Sequence, residues 1–195
     1  MVSLYQCYMK VSRYLLYFAI ALFFSGCSHS RSEMNNQRVE DFLQVASTMP
    51  PTEAVESPDK AFLTLFGDFK AGTKEDIIRQ LYAETFYFND TFKTFGHIDE
   101  LLKYMPETAD ATELTTVEII DVAKSDTDYY LRWVMHMKFS AAGKKIDSKS
   151  IGMTQLRFNE EGKIILHQDY WDGAEGFYSR LPIVGFFVNY VQSRL

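Results

Sequence analysis

Residues 156–172, LRFNEEGKIILHQDYWD, read as one β-hairpin. Leu156 to Phe158 close one strand. Asn159-Glu160-Glu161-Gly162 is the turn, with glycine at the position that needs a positive φ. Lys163 to Trp171 is the returning strand. Side chains alternate along a strand, so His167, Asp169 and Trp171 share one face and Gln168, Tyr170 and Asp172 the other. The period of two persists upstream. Tyr129 to Phe139 sets Leu131, Trp133, Met135, Met137 and Phe139 on one face, against Arg132, His136 and Lys138. Ser125 to Asp128 is the turn before it and Val117 to Val122 the strand before that; Ala142-Gly143 turns into the strand ending at Phe158. Four long antiparallel strands therefore occupy the second half of the chain.

The first half is helical. Ser57 is an N-cap with Pro58 at the first helical position, and Ala61, Phe62, Leu65, Phe66 and Phe69 form one apolar face. Gly72 closes that helix; Thr73 caps a second that buries Ile77, Ile78 and Leu81. Phe86 to Asp90 is a short strand, and a helix from His97 to Met105 ends before Pro106. Helices segregated on one face of a curved antiparallel sheet predict an α+β domain over 58–195. Residues 27–57 are polar and proline-punctuated, a tether with one short helix around Val39, Phe42, Leu43 and Ala46.

This order of elements, with YAETFYFND at 82–90 and the hairpin above, resembles the nuclear transport factor 2-like superfamily, in particular its SnoaL-like branch. The resemblance spans roughly residues 58 to 175. It implies a cystatin-like cone of sheet and helices around an aromatic cavity. It also implies membership in a group that holds ketosteroid isomerases, limonene epoxide hydrolases, polyketide cyclases and non-catalytic binders.

Two acids are the catalytic candidates. Asp90 ends a strand among Phe86, Phe88 and Phe92, rings that desolvate a carboxylate and raise its pKa toward a useful range for proton transfer. The resemblance sets it where ketosteroid isomerases keep their general base; the competing reading is a turn Asp bonded to local backbone. Asp169 is the second acid, able to divide acid and base roles with Asp90 from the opposite wall. Its competing reading is a salt bridge to Arg132 or Lys138. By the resemblance, Phe88, Trp133, Met135, Thr154, His167 and Trp171 face the cavity and bind the ligand. The oxyanion-holding positions of ketosteroid isomerases fall here near Leu65 or Phe66 and at Thr154, which supply no acidic donor pair. Arg132 is followed two residues on by Val134, not by the Asp of an epoxide-opening triad. A cyclase that relies on one carboxylate and an aromatic cavity remains open, beside a binder without turnover and a dimeric scaffold using the outer sheet face.

The N-terminus carries an address. Lys10 and Arg13 precede an eleven-residue apolar run, Tyr14 to Phe24, which is short for a membrane span and right for a signal h-region. Ser25-Gly26-Cys27 then resembles a bacterial lipobox, with Phe24 in place of the usual leucine. That implies cleavage of residues 1–26, a lipid on Cys27, loss of Cys7 and a net charge of −8 in place of −6. Ser28 rather than Asp after the lipid site implies the outer membrane of a bacterium, the domain facing the periplasm.

The acidic balance argues against nucleic acid. The four histidines, His29, His97, His136 and His167, form no paired metal-ligand motif, and no phosphate loop, dinucleotide fingerprint or serine elbow is present, so neither metal nor cofactor is expected. The resemblance implies a homodimer. Phe177 to Leu195 is unusually apolar for a chain end. It reads as a lid over the cavity mouth, with an interfacial membrane helix as the alternative.

Overall fold

The computed structural model describes residues 28–141 and 143–195, with side chains from residue 36 on. The signal segment and Cys27 lie outside the described residues. Two compact units divide at Met49/Pro50. The first contains one helix, α1 (Ser28–Thr48). It is longer than the short helix expected in the tether, because no Gly or Pro interrupts residues 28–48. Pro50 and Pro51 follow it.

The second unit, Pro50–Leu195, holds all of the packed core. Its helices are α2 (Pro58–Phe66), α3 (Phe69–Gly72), α4 (Glu75–Leu81), α5 (Ile98–Asp110), α6 (Gly173–Gly176) and α7 (Val184–Gln192). Its strands are β1 (Tyr82–Asn89), β2 (Thr94–His97), β3 (Thr112–Lys124), β4 (Tyr129–Ala141), β5 (Lys144–Phe158) and β6 (Ile164–Trp171). One six-stranded sheet runs β2-β1-β6-β5-β4-β3, antiparallel throughout except for β1 against β6. This is the expected α+β class. The single expected helix over 58–72 is broken at Gly67-Asp68, where Asp68 caps α3 by accepting from the Ala71 amide at 3.1 Å. Pro106 does not end α5, which runs on to Asp110.

The unit starts eight residues before the expected boundary. Pro50 to Val55 straps across the ends of β4 and β5. The Thr52 amide donates to Thr127 O, the Glu53 amide to Phe158 O, and the Phe158 amide to Thr52 Oγ1, at 2.9, 2.9 and 3.0 Å. Under the strap lies a buried ion pair, Arg157 Nε to Asp128 Oδ1 at 2.6 Å. The segment's polar, proline-rich composition reads as linker because its partners are backbone groups far along the chain.

Phe62, Leu65 and Phe66 of α2 and Leu101 and Met105 of α5 pack on Leu131, Trp133, Leu156 and Phe158 of the sheet. Gly152 faces Trp133 across β5 and β4; a Cβ there would sit 2.3 Å from the indole ring, so only glycine leaves room for it. Gly162 takes φ 73° in the β5–β6 turn, as that turn requires.

Candidate active site

Between the concave sheet and α2, α3 and α5 lies a cavity of about 370 Å³. Phe66, Phe69, Phe88, Trp133, Met135 and Phe139 are among its walls, and Asp90 and Asp169 are its acids; among the described residues no Lys, Arg or His lines it.

Asp90 follows β1 in a tight turn. Oδ1 accepts from the amides of Phe92 and Lys93, at 3.0 and 2.8 Å, and Thr91 takes φ 83°, an uncommon conformation for a β-branched residue. Oδ2 accepts from the Tyr104 hydroxyl at 2.5 Å. Asp90 is therefore both a turn residue and a cavity residue. Burial pushes its carboxyl above the ordinary carboxylate value; the Tyr104 hydroxyl and the two amides pull the other way without cancelling the rise, to which the charge of Asp169 adds. Burial, then the charge of Asp90, keeps the Tyr104 phenol well above its usual range, so it stays a donor.

Asp169 hangs from β6 at the centre of a buried chain of hydrogen bonds. The Trp133 indole donates to Thr154 Oγ1 at 2.9 Å, and Thr154 donates to Asp169 Oδ1 at 2.5 Å. His167 Nε2 lies 3.0 Å from the same oxygen, and its Nδ1 lies 2.8 Å from the Tyr82 hydroxyl. Burial, first, holds the Tyr82 phenol protonated. Among the described residues its side-chain partner is Nδ1, to which it donates, so Nε2 is the ring N–H directed at Asp169. Asp169 Oδ1 thus takes two donors, while among the described residues no group donates to Oδ2. The competing salt bridge is not formed among the described residues: Arg132 lies beside Asp121 and Lys138 beside Asp147, at 3.8 and 3.3 Å.

Of the expected ligand-binding residues, Phe88, Trp133, Met135 and Trp171 border the cavity with both acids. Thr154 and His167 do not. Thr154 is fully buried and His167 is 1% exposed, caged by Phe62, Phe66, Tyr82 and Phe88. They act on the cavity through Asp169, on which Thr154 Oγ1 and His167 Nε2 are spent, while His167 Nδ1 is taken by Tyr82. Tyr104 was not singled out from the sequence. Its signal was present: it lies one turn before Thr108 on α5, beside the buried Leu101 and Met105, on the inward stripe.

The cavity's cover is also redistributed. Gly176 and Phe177 form part of the wall, with Phe177 stacked on Phe139 at 5.5 Å and edge-on to Phe92 at 4.9 Å. The Ser148 hydroxyl ties this segment down by donating to Gly176 O at 2.5 Å. Of the stretch 177–195 expected as a lid, Phe177 covers the cavity, and no residue of α7 is among its lining. Among the described residues no group of three or more His, Cys, Asp or Glu is placed to hold a metal ion. Nor is any described helix long and apolar enough to cross a membrane.

A layered α+β cone with an acid-bearing aromatic cavity defines a fold shared by many enzymes and binders. The family model of the SnoaL-like domain matches residues 60–167, and the chain belongs to that family. Among solved structures, it is similar to a Catenulispora acidiphila protein with a ketosteroid isomerase-like fold, crystallised with trimethylamine (15% identity, 64% of this chain and 95% of that one, TM-score 0.52). It is also similar to a Shewanella denitrificans protein assigned to the SnoaL-like polyketide cyclases (15% identity, 60% and 93%, TM-score 0.50). A third is an NTF2-like protein of unknown function from Exiguobacterium (20% identity, 57% and 98%, TM-score 0.48). No curated protein matches the chain.

Proposed function

We propose that this is a lipid-tethered SnoaL-like domain whose cavity binds a small apolar or lipid-like molecule. The observation that carries this reading is the cavity itself, about 370 Å³ walled by phenylalanine, tryptophan and methionine side chains. The test is native mass spectrometry of residues 50–195, the unit that carries its own core. A reproducible apolar mass released on dissociation is the expected result. An empty cavity that also takes up no dansyl-labelled fatty acid refutes the reading.

The signal grammar around Cys27 supports an anchor on the bacterial outer membrane, with the domain facing the periplasm. Metabolic labelling with tritiated palmitate tests it: label should enter the wild-type chain and not Cys27→Ala. The outer face of β3 to β5, with Arg132, Val134, His136 and Lys138 beside exposed Ile120 and Ile151, supports a homodimer. Sedimentation of Ile151→Lys against wild type tests that pairing; equal masses for the two count against it.

A second reading is turnover by acid–base chemistry of the cyclase or isomerase type. The unequal bonding of the two acids favours it. Asp90 was the expected base, yet both its oxygens are engaged. Among the described residues Asp169 keeps Oδ2 without a donor while Thr154 and His167 orient it through Oδ1, so that oxygen is the one placed to take a proton from the ligand, and Tyr104 serves to hold Asp90. Conversion of the released molecule should be lost in Asp169→Asn and only reduced in Asp90→Asn. Equal loss in both variants would return the base role to the pair.

A further inference from the structure

We propose that α7 is a membrane-contacting helix whose apolar face lies on an anionic phospholipid surface. The lid reading no longer accounts for the apolar chain end, because Gly176 and Phe177 already wall the cavity and α7 does not reach it. The helix starts from a tight γ-turn at Ile183 (φ 67°, ψ −61°), closed by the Val184 amide donating to Pro182 O at 2.7 Å. It then packs on the 3₁₀ turn Tyr178–Arg180. Gly185 makes the close approach; a Cβ there would fall 2.2 Å from Ser179 O. The Asn189 side-chain amide donates to the same carbonyl at 3.4 Å.

The helix is thus inside-out with respect to its own domain. Gly185 is its one buried residue and Asn189, itself exposed, reaches back to the 3₁₀ turn, while Phe186 (69% exposed), Phe187 (62%), Tyr190 and Val191 face water. A contiguous apolar surface of this kind marks an interaction site.

Charge selects the occupant. From Gly176 to Leu195 there is no acidic side chain, and Arg180 and Arg194 are the charged residues, although the chain as a whole carries −6. The Arg194 guanidinium lies over the Tyr190 ring, 5.3 Å from its centre. A phenol and a guanidinium suit headgroup depth while phenyl rings suit the acyl boundary beneath. The inference rests on the tether reading only in that Cys27 brings a membrane within reach.

The test leaves Cys27 out, so that its failure and the failure of that reading are distinguishable. Residues 50–195 are sedimented with vesicles of equal parts phosphatidylethanolamine and phosphatidylglycerol, and with phosphatidylcholine vesicles. Binding is expected to the first, weakened by salt, and much less to the second. Phe186→Ser with Phe187→Ser, both exposed, should keep the urea midpoint and lower vesicle affinity by at least about tenfold. Arg194→Glu should weaken binding to the anionic vesicles alone. Wild type that stays in the supernatant overturns the proposal. So does binding the double variant retains. Self-association lost in the double variant, without vesicle binding, overturns it in favour of a second copy of the chain.

Discussion

Replacing Thr154 by valine keeps the side chain's volume and deletes one hydroxyl that serves two buried partners. The Trp133 indole N–H, on a residue 2% exposed, loses its acceptor, and a buried donor left unpaired costs about 1–3 kcal/mol. Asp169 Oδ1 loses its shortest donor, and a hydrogen bond to a charged group contributes about 1.5–3 kcal/mol net. The added methyl returns about 1 kcal/mol of burial. A net loss of about 1.5–5 kcal/mol follows, against about 1 kcal/mol for Thr154→Ser, which keeps the hydroxyl and empties one methyl's volume. Urea unfolding of residues 50–195 reads the difference. With a slope of about 2 kcal/mol per molar, the valine variant should lose about 0.8–2.5 M of midpoint and the serine variant about half a molar. Only two indole N–H resonances are expected, from Trp133 and Trp171. That of Trp133 should move and lose exchange protection in the valine variant, while that of Trp171, bonded to Asp90 O, stays. Equal midpoints for the two variants, with both resonances unmoved, would refute the hydrogen-bond chain.

Gly152→Ala should cost about 1–3 kcal/mol by driving a methyl into the Trp133 ring, seen as a lower urea midpoint and altered tryptophan emission. Arg157→Met strands a buried Asp128 and should cost about 3–5 kcal/mol at neutral pH, with faster proteolysis near the Pro50–Val55 strap. Burial pushes Asp128 up, but its bonds to Arg157, Gln155 and Thr127 outweigh that and hold it below the usual range. Its contribution is therefore complete above the ordinary carboxylate pKa and fades as pH falls through the depressed folded value; the wild-type acid limb should be steeper than that of Arg157→Met. Asp90 has the opposite sign. Its folded-state pKa is raised, so its charge opposes folding at neutral pH, and the penalty lifts as pH falls through that raised value. Asp90→Asn should melt higher than wild type at neutral pH, and the gain should vanish below about pH 4, where both states of the wild type bind the proton.

How much of this was legible in the chain depends on the range of the interaction involved. The strand faces from Leu131 to Phe139 and from His167 to Trp171 were readable because alternation is a property of one strand. The Gly162 turn was readable because a positive φ is a property of one residue. Two local readings went astray for tertiary reasons. Pro106 signals a helix end, yet α5 continues through it to Asp110 because its inward stripe, Leu101, Met105 and Ala109, remains buried on both sides of the proline. Residues 50–57 look like linker, yet their polar groups find partners on β4 and β5 about 75 to 107 residues away.

The acids themselves, the aromatic walls and the class of fold were all determined by the order of residues alone. Apolar period, caps and turn glycines act over a few residues and so leave a trace in any short window. The assembly around Asp169 was decided only in three dimensions. Pairing sets Leu131 opposite Thr154 and Thr154 opposite Asp169, and the parallel pairing of β1 with β6 brings Tyr82 to His167 across 85 residues. Strand register, not composition, chose which hydroxyl meets which carboxylate, and it placed Thr154 and His167 behind the wall rather than on it. The same holds at the chain end. The apolar run from Ile183 to Val191 was visible as a string, but whether it covered the cavity or faced outward depended on the turn at Ile183 and on the close approach of Gly185 to Ser179, contacts no local pattern encodes.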